Sequence, residues 1–119
     1  MRTTPTVLIV DDHPAFRASA RRLLESEGYA VIGEAGDGHE ALESVLQLDP
    51  DLVLLDIQLP GPDGFEVARR LRQHGNRAAV VLISSREEAD YGKRIAESGA
   101  LGFIAKGDLS GKAIDALLE

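Results

Sequence analysis

The chain has 119 residues, with 13 Lys and Arg against 20 Asp and Glu, which gives a formal net charge of −7. This length fits one domain that folds without covalent cross-links, and the absence of cysteine excludes disulfides, thiolate zinc sites and a cysteine nucleophile. The negative charge disfavours direct binding of this chain to nucleic acid or to anionic lipid.

Five short aliphatic runs alternate along the chain with longer amphipathic segments. Runs rich in Val, Ile and Leu, and too short for helices, are typical of strands that are buried on both faces of a parallel sheet. The predicted strands are Val7–Val10, Val31–Ile32, Leu52–Leu55, Ala79–Ile83 and Gly102–Ala105.

A helix is predicted after each strand, because apolar residues recur there at helical spacing. The predicted helices are Ala15–Glu27, His39–Leu48, Gly64–His74, Glu87–Ser98 and Ser110–Leu118. Pro14 suits the first turn of the first helix, and Gly28 suits its C-terminal cap. The fourth helix is predicted to be the weakest, because its apolar face is thin and Gly92 costs a helix about 1 kcal/mol relative to Ala.

Alternation of five strands with five helices predicts an α/β fold with a doubly wound parallel sheet. One domain then spans residues 1–119, and the second strand lies at an edge if the strand order is 2-1-3-4-5. The longest apolar run, Ala78–Ile83, is far shorter than the ~18 residues of a transmembrane helix. The N-terminus lacks the pattern of a secretory signal, so we expect a cytoplasmic domain without membrane contact.

Polar side chains follow four of the five predicted strands. Asp11 and Asp12 follow the first strand, Asp56 the third, Ser84 the fourth and Lys106 the fifth. The carboxyl ends of parallel strands lie at the same edge of a sheet, where such folds bind ligands. The sequence therefore predicts that these side chains form one site, although each of them also has an ordinary structural explanation.

The ordinary explanations are a helix cap, a loop residue and a solvated charge. Either Asp11 or Asp12 could cap the first helix, but two adjacent carboxylates repel each other and capping accounts for only one of them. Asp56 could open a loop, Ser84 could simply end its strand, and Lys106 could be a surface charge. The combination is more informative than any single residue.

The combination indicates a site for a divalent cation and a phosphoryl group. Converging carboxylates are ligands that Mg²⁺ prefers, and an ammonium with a hydroxyl suits a phosphoryl group. A carboxylate can also accept the phosphoryl group covalently. Asp56 is the candidate acceptor, because it stands alone on the middle strand while Asp11 and Asp12 remain available for the metal.

Several stretches of the chain closely resemble the receiver domains of two-component response regulators. The matching stretches are VLIVDDHPAFR (Val7–Arg17), GEAGDGHEAL (Gly33–Leu42), PDLVLLDIQLPGPDGFEV (Pro50–Val67), VVLISS (Val80–Ser85) and GALGFIAK (Gly99–Lys106). Together they cover essentially the whole chain. The resemblance implies a flavodoxin-like (βα)₅ fold with strand order 2-1-3-4-5.

The resemblance also implies a role for each residue of the predicted site. Asp56 would accept a phosphoryl group from a histidine kinase, and Asp11, Asp12, Asp56 and the backbone carbonyl of Gln58 would bind Mg²⁺. Such a receiver is not an enzyme in its own right, but it assists its own phosphorylation and dephosphorylation.

Three further positions correspond to functional residues of the family. Ser84 takes the place of the switch Thr or Ser, and Lys106 that of the family's lysine. Phe103 stands at the aromatic switch position, where Tyr is commoner, so one hydroxyl that could form a hydrogen bond is absent. We expect phosphorylation to draw Ser84 and Lys106 inward and to repack Phe103.

The opening DDHP resembles the NarL/FixJ type, whose receivers usually precede a LuxR-type helix-turn-helix effector domain. The resemblance implies dimerisation on activation and binding to DNA only through that effector domain, which this chain does not contain. The last predicted helix ends almost with the chain, at Glu119, which favours a receiver separated from its effector over a stand-alone receiver.

Three other function classes are alternatives to a phosphorylated receiver. A phosphatase or phosphotransferase with an aspartate nucleophile needs a second acidic residue, but Gln58 stands two positions after Asp56. A nucleotide-binding protein is disfavoured by the absence of a phosphate-binding glycine loop. A receiver-like module that works in interaction or dimerisation without phosphate remains open. His13 lies near the acidic residues and is interpreted as a partly exposed residue of the helix-cap region.

Overall fold

The computed structural model describes residues 4–119, and residues 1–3 of the N-terminal segment considered for a secretory signal lie outside the described part. Five parallel strands form one sheet in the order β2-β1-β3-β4-β5, which confirms the predicted topology. The strands are β1 (Thr6–Val10), β2 (Ala30–Ala35), β3 (Leu52–Asp56), β4 (Ala79–Ser84) and β5 (Gly102–Ala105).

Helices connect the strands and cover both faces of the sheet. They are α1 (Pro14–Ser26), α2 (Gly38–Leu48), α3 (Gly64–Gln73), α4 (Arg94–Glu97) and α5 (Gly111–Leu118), with 3₁₀ turns at Glu88–Asp90 and Lys106–Asp108. Pro14 begins α1 as predicted, and Gly28 follows its C-cap with a φ of 94°. Within residues 4–119, no helix combines the length and the apolar character that crossing a membrane requires.

Alternate residues of each strand face opposite sides of the sheet and build two apolar layers. On one side, Ile9 and Leu54 pack in a layer with Leu24 of α1 and Ile114 of α5. A second set forms the other layer with α2, α3 and α4, and its members include Leu8, Val53, Leu55, Leu82, Val45, Val67, Leu71 and Ile95. Burial on both faces explains why β3 and β4 consist almost entirely of aliphatic residues.

The edge strand β2 is longer than the predicted Val31–Ile32. It runs over six residues from Ala30 to Ala35, and includes the polar Glu34 and the small Gly33. As an edge strand, β2 pairs on one side only, with β1, and Ile32 and Glu34 point away from the core. The apolar run therefore underestimated the length of the strand, because backbone pairing with β1 continues at residues whose side chains are not buried.

The fourth helix departs most from the sequence-based prediction. The predicted Glu87–Ser98 forms a 3₁₀ turn at Glu88–Asp90 and a single helical turn at Arg94–Glu97. Gly92 lies between them with a φ of 57°, in the left-handed region that interrupts a helix. The predicted weakness of this element is confirmed and its predicted length is wrong.

Candidate functional site

Strands β1, β3, β4 and β5 end at the same edge of the sheet, and their ends carry the predicted site residues. One oxygen or nitrogen atom from each of Asp11, Asp12, His13 and Asp56 lies within 4.8 Å of the others. Lys106, which follows β5, reaches the same cluster with its ammonium group. The parallel sheet thus brings together the acidic residues that the sequence placed after separate strands.

Asp56 is the last residue of β3, and its side chain is buried. Its Oδ1 accepts the backbone N–H of Gln58 at 3.1 Å, and its Oδ2 lies 3.3 Å from Nζ of Lys106. Burial raises the pKa of the Asp56 carboxyl to about 6, although the positive charge of Lys106 opposes that rise. The group is therefore mostly ionised at neutral pH and protonated in mild acid.

The first turn of α3 closes tightly over the end of β3. A Cβ on Gly64 would lie 2.4 Å from the carbonyl oxygen of Asp56 and 2.7 Å from Cα of Ile57. Only glycine allows the helix to start this close to the strand, and the N–H of Gly64 donates to the carbonyl of Ile57 at 2.8 Å. This contact fixes the backbone on which the Asp56 carboxylate stands.

Asp11 is fully buried at the end of β1. Its Oδ1 accepts the backbone N–H of His13 at 2.8 Å, and its Oδ2 lies 2.6 Å from Nζ of Lys106. Burial favours the neutral form, but the Lys106 ammonium and the His13 N–H outweigh it and hold the pKa of the Asp11 carboxyl below its ordinary value. The N-cap of α1 is His13, so neither Asp11 nor Asp12 occupies the cap position considered above.

Lys106 bridges the two buried carboxylates. Its Nζ contacts Asp11 and Asp56, and it also lies 4.6 Å from the centre of the Phe16 ring. Burial alone would lower the pKa of the Lys106 ammonium, but the two carboxylates outweigh burial and raise it. Lys106 is therefore a charged member of the cluster and not the solvated surface lysine of the alternative interpretation.

Asp12 and His13 form the exposed rim of the cluster. Nδ1 of His13 lies 3.1 Å from Oδ1 of Asp11 and 3.0 Å from Oδ1 of Asp12, while 69% of its side chain is exposed. His13 was expected in the cap region of the first helix, and it is the N-cap residue of α1. Its contact with both carboxylates was not predicted, because the direction of an exposed ring has no signature in the sequence.

An arginine pair that sequence reasoning missed supports the end of β1. Nη1 of Arg17 donates to the backbone carbonyl of Asp11 at 2.5 Å, and Nε of Arg17 donates to Glu34 of β2 at 3.0 Å. Arg21 donates to the other carboxylate oxygen of Glu34 at 2.8 Å, and these bonds, with that from Arg21 foremost, lower the pKa of Glu34. The pair holds α1 and β2 against the loop that carries Asp11 and Asp12.

Ser84 ends β4 and is fully buried. Its Oγ accepts the backbone N–H of Arg86 at 3.0 Å and lies 2.6 Å from Oη of Tyr91. The Tyr91 ring in turn contacts Phe65 of α3 edge-on, at 5.6 Å between centroids, and Phe103 of β5 at 6.1 Å. The residues with predicted switch roles are thus connected through Tyr91, which the sequence analysis had not singled out.

The cluster has the chemistry of a site for a hard divalent cation. Asp11, Asp12 and Asp56 offer carboxylate oxygens, which Mg²⁺ prefers together with water. Among residues 4–119, Oδ2 of Asp11 is the buried side-chain oxygen without a well-directed hydrogen bond, so its contact with Lys106 is ionic.

The chain matches one family and many proteins of known structure. The family model for the response regulator receiver domain matches residues 7–117. The positive transcription regulator of virulence factors BvgA from Bordetella pertussis is 41% identical over 100 residues, which are 84% of this chain and 48% of BvgA. The DNA-binding transcriptional activator EvgA of Escherichia coli is 34% identical over 99 residues, 83% of this chain and 48% of EvgA.

The chain spans about half the length of these relatives. Among solved structures, a two-component response regulator of the LuxR family from Aurantimonas superposes with a TM-score of 0.88 at 36% identity, over 98% of this chain and 86% of that one. The fold and the sequence therefore point to the same family.

Proposed function

The chain belongs to the family of response regulator receiver domains, and from that premise we propose that it is the phosphorylation switch of a two-component system, with Asp56 as phosphoacceptor. The observation that carries the proposal is the position of the Asp56 carboxylate. It is buried at the end of the middle strand, beside the carboxylate of Asp11 and the ammonium of Lys106.

The proposed reaction transfers a phosphoryl group from a phosphohistidine of a histidine kinase. An ionised oxygen of Asp56 attacks phosphorus, the new O–P bond forms as the N–P bond breaks, and the departing imidazole keeps the electron pair and takes up a proton. The pKa of about 6 leaves the Asp56 carboxyl mostly ionised at neutral pH, so no separate base is needed. The hydrogen bond from Gln58 N–H holds the other oxygen in place.

Lys106 and Ser84 would stabilise the phosphorylated state. A phosphoryl group on Asp56 adds roughly −1.5 to −2 charge, and the Lys106 ammonium, already within 3.3 Å of Asp56, would pair with it. The Ser84 hydroxyl would donate to a phosphoryl oxygen. Lys106 stays charged for this role, because its two carboxylate neighbours raise its pKa.

The acidic cluster would hold Mg²⁺ through Asp11, Asp12, Asp56 and the backbone carbonyl of Gln58. When bound, the ion neutralises charge on the carboxylate and phosphoryl oxygens. The donor set fits this role, and Arg17 would keep the loop of Asp11 and Asp12 in position through its bond to the Asp11 carbonyl.

We assign the output of the switch to the surface formed by α4, β5 and α5. Movement of Ser84 towards the phosphoryl group would free space for Phe103 and shift the α4 segment. Because the relatives are transcription regulators of about twice this length, we propose that the full protein carries a DNA-binding effector domain downstream of the receiver. We also propose that the protein forms a homodimer on activation and that it is cytoplasmic.

Intact mass after incubation with acetyl phosphate and Mg²⁺ tests the proposal. The wild-type chain is expected to gain one phosphoryl group, whereas Asp56→Asn and a sample with chelator gain none. A wild-type chain that stays unmodified under every condition, including incubation with phosphorylated histidine kinase, would overturn the proposal. That result would favour an interaction module that works without phosphate.

A further inference from the structure

Tyr91 joins the site to the segment that follows β4. This residue directly follows the 3₁₀ turn Glu88–Asp90 and precedes α4. Its hydroxyl lies 2.6 Å from Oγ of Ser84, and its half-buried ring contacts Phe65 and Phe103. One side chain therefore touches the hydroxyl with the proposed switch role, the aromatic residue of β5 and the first turn of α3.

We propose that Tyr91 is a positioning residue that holds the Ser84 hydroxyl away from Asp56 in the resting state and releases it on phosphorylation. The inference rests on the proposed function, because it concerns how the same site is regulated. Tyr91 would supply a hydroxyl that holds Ser84 in place, a contact that residue 103 on β5 cannot make because it is Phe.

Hydrogen bonding explains why the contact opposes activation. Ser84 is fully buried, and its described partners are the Tyr91 hydroxyl and the Arg86 N–H. A buried hydroxyl leaves such partners only when another partner replaces them. A phosphoryl oxygen on Asp56 is a charged acceptor and forms the stronger bond, whereas the Tyr91 hydroxyl, at a half-buried position, can turn to water.

The contacts around Tyr91 explain how its release would reach the surface. Of the four residues of α4, only Ile95 is buried. The side chain of Arg94 is 61% exposed, lies over the Phe65 ring at 4.2 Å and pairs at 3.8 Å with Asp63, the N-cap of α3. Loss of the Tyr91–Ser84 bond would therefore remove a partly buried side-chain hydrogen bond between the end of β4 and the segment that leads to α4.

Tyr91→Phe removes the hydroxyl and keeps the ring. The rate of phosphorylation by acetyl phosphate and Mg²⁺ is expected to rise about fivefold, the factor that corresponds to one net hydrogen bond in the resting state. Tyr29→Phe is the matched control, because it also removes a phenol hydroxyl in a partly buried hydrogen bond, here with Asp115 far from the site. The control is expected to react at the wild-type rate.

A double-mutant cycle separates the proposed contact from a general change in packing. In the Ser84→Ala background, Tyr91→Phe is expected to change the rate no further, because the partner hydroxyl is already absent. An equal acceleration in both backgrounds would show that Tyr91 acts without Ser84 and would overturn the inference.

The tyrosine content supplies a second readout that needs no change at Tyr91. The chain has two tyrosines and no tryptophan, so the emission of Tyr29→Phe comes from Tyr91 alone. Phosphorylation is expected to change this emission, because the hydroxyl loses Ser84 and the ring repacks against Phe103. An unchanged emission in a sample whose mass shows full phosphorylation would overturn the inference, even if Tyr91→Phe failed to fold.

The same experiments distinguish failure of this inference from failure of the proposed function. If the wild-type chain gains no phosphoryl group, the proposed function fails and the inference falls with it. If the wild-type chain is phosphorylated while Tyr91→Phe reacts at the same rate or more slowly, only the inference fails.

Discussion

The two sides of the site are held by different kinds of contact. At the ends of β1 and β3, ion pairs and a charged hydrogen bond tie Asp11 and Asp56 to Lys106, whose side chain reaches across from the end of β5. On the side of β4 and β5, neutral hydroxyls and aromatic edges connect Ser84, Tyr91 and Phe103. A phosphoryl group on Asp56 would change the charge balance at the ends of β1 and β3, which we call the charged side. The neutral contacts at the ends of β4 and β5 would then rearrange in response.

The largest expected effect comes from breaking the charged side. Lys106→Met leaves two buried carboxylates without their counter-charge and should lower the free energy of unfolding by about 3–5 kcal/mol at pH 7 with chelator present. Urea titration measures the loss. Lys112→Met, at an exposed position on α5, is the control and should be nearly neutral. Added Mg²⁺ should recover part of the loss in Lys106→Met, and equal losses in the two variants would contradict the ionic account.

The charged side of the site also makes the free energy of unfolding depend on pH. The folded pKa of Asp56, about 6, lies above its ordinary value of 3.8, so between these pH values the native state holds the proton more tightly than the unfolded chain. Without metal, this group therefore stabilises the fold below about pH 4 and loses that contribution as pH rises through about 6.

Asp56→Asn should remove this pH dependence and be more stable than wild type at pH 7 with chelator, by about 1–3 kcal/mol. Urea titrations at pH 4.5 and pH 7 measure the difference. Asp108→Asn, which changes an exposed carboxylate outside the cluster, should follow the wild-type profile. A wild-type chain that gains stability between pH 4.5 and pH 7 relative to Asp56→Asn would show that burial of Asp56 does not dominate.

The hydrogen bonds that hold the loop of Asp11 and Asp12 can be removed without changing a residue of the acidic cluster. Arg17→Met removes the hydrogen bond to the Asp11 carbonyl and the pairing with Glu34, at a cost of about 1–2 kcal/mol in stability. It should also weaken Mg²⁺ binding, measured by calorimetry, because the loop of Asp11 and Asp12 loses its anchor. Arg22→Met, at an exposed position on the same helix, should leave both quantities unchanged.

The smallest expected effect is at Gly92, in the segment between β4 and α4. Its φ of 57° is unfavourable for a residue with a Cβ, so Gly92→Ala should lower stability by about 1 kcal/mol. If the segment were a continuous helix, the same substitution would raise stability by a similar amount. Gly107→Ala has open space and no positive φ, and serves as the neutral control in thermal unfolding.

Much of the fold and of the cluster could be predicted because parallel sheets impose simple rules. Strands β1, β3 and β4 are continuous aliphatic runs, and their carboxyl ends share one edge of the sheet. Asp11, Asp12, Asp56 and Lys106 therefore had to lie near one another once the strand order was known. Their roles in metal binding and phosphoryl transfer stay predictions until the mass and stability measurements are made.

The amino-acid sequence alone was enough to predict the α/β class of the fold, the alternation of strands and helices, and the residues at the carboxyl ends of the strands, because periodicity and strand ends are local properties. Three features became apparent from the folded chain alone: Tyr91 contacts Ser84, Arg17 and Arg21 share Glu34, and Gly92 divides the fourth helix. These features depend on side-chain directions and on backbone dihedrals set by packing between distant segments. Local spacing indicated a weak fourth helix, but it gave neither the left-handed dihedral of Gly92 nor the direction of these side chains, because both depend on contacts with distant segments.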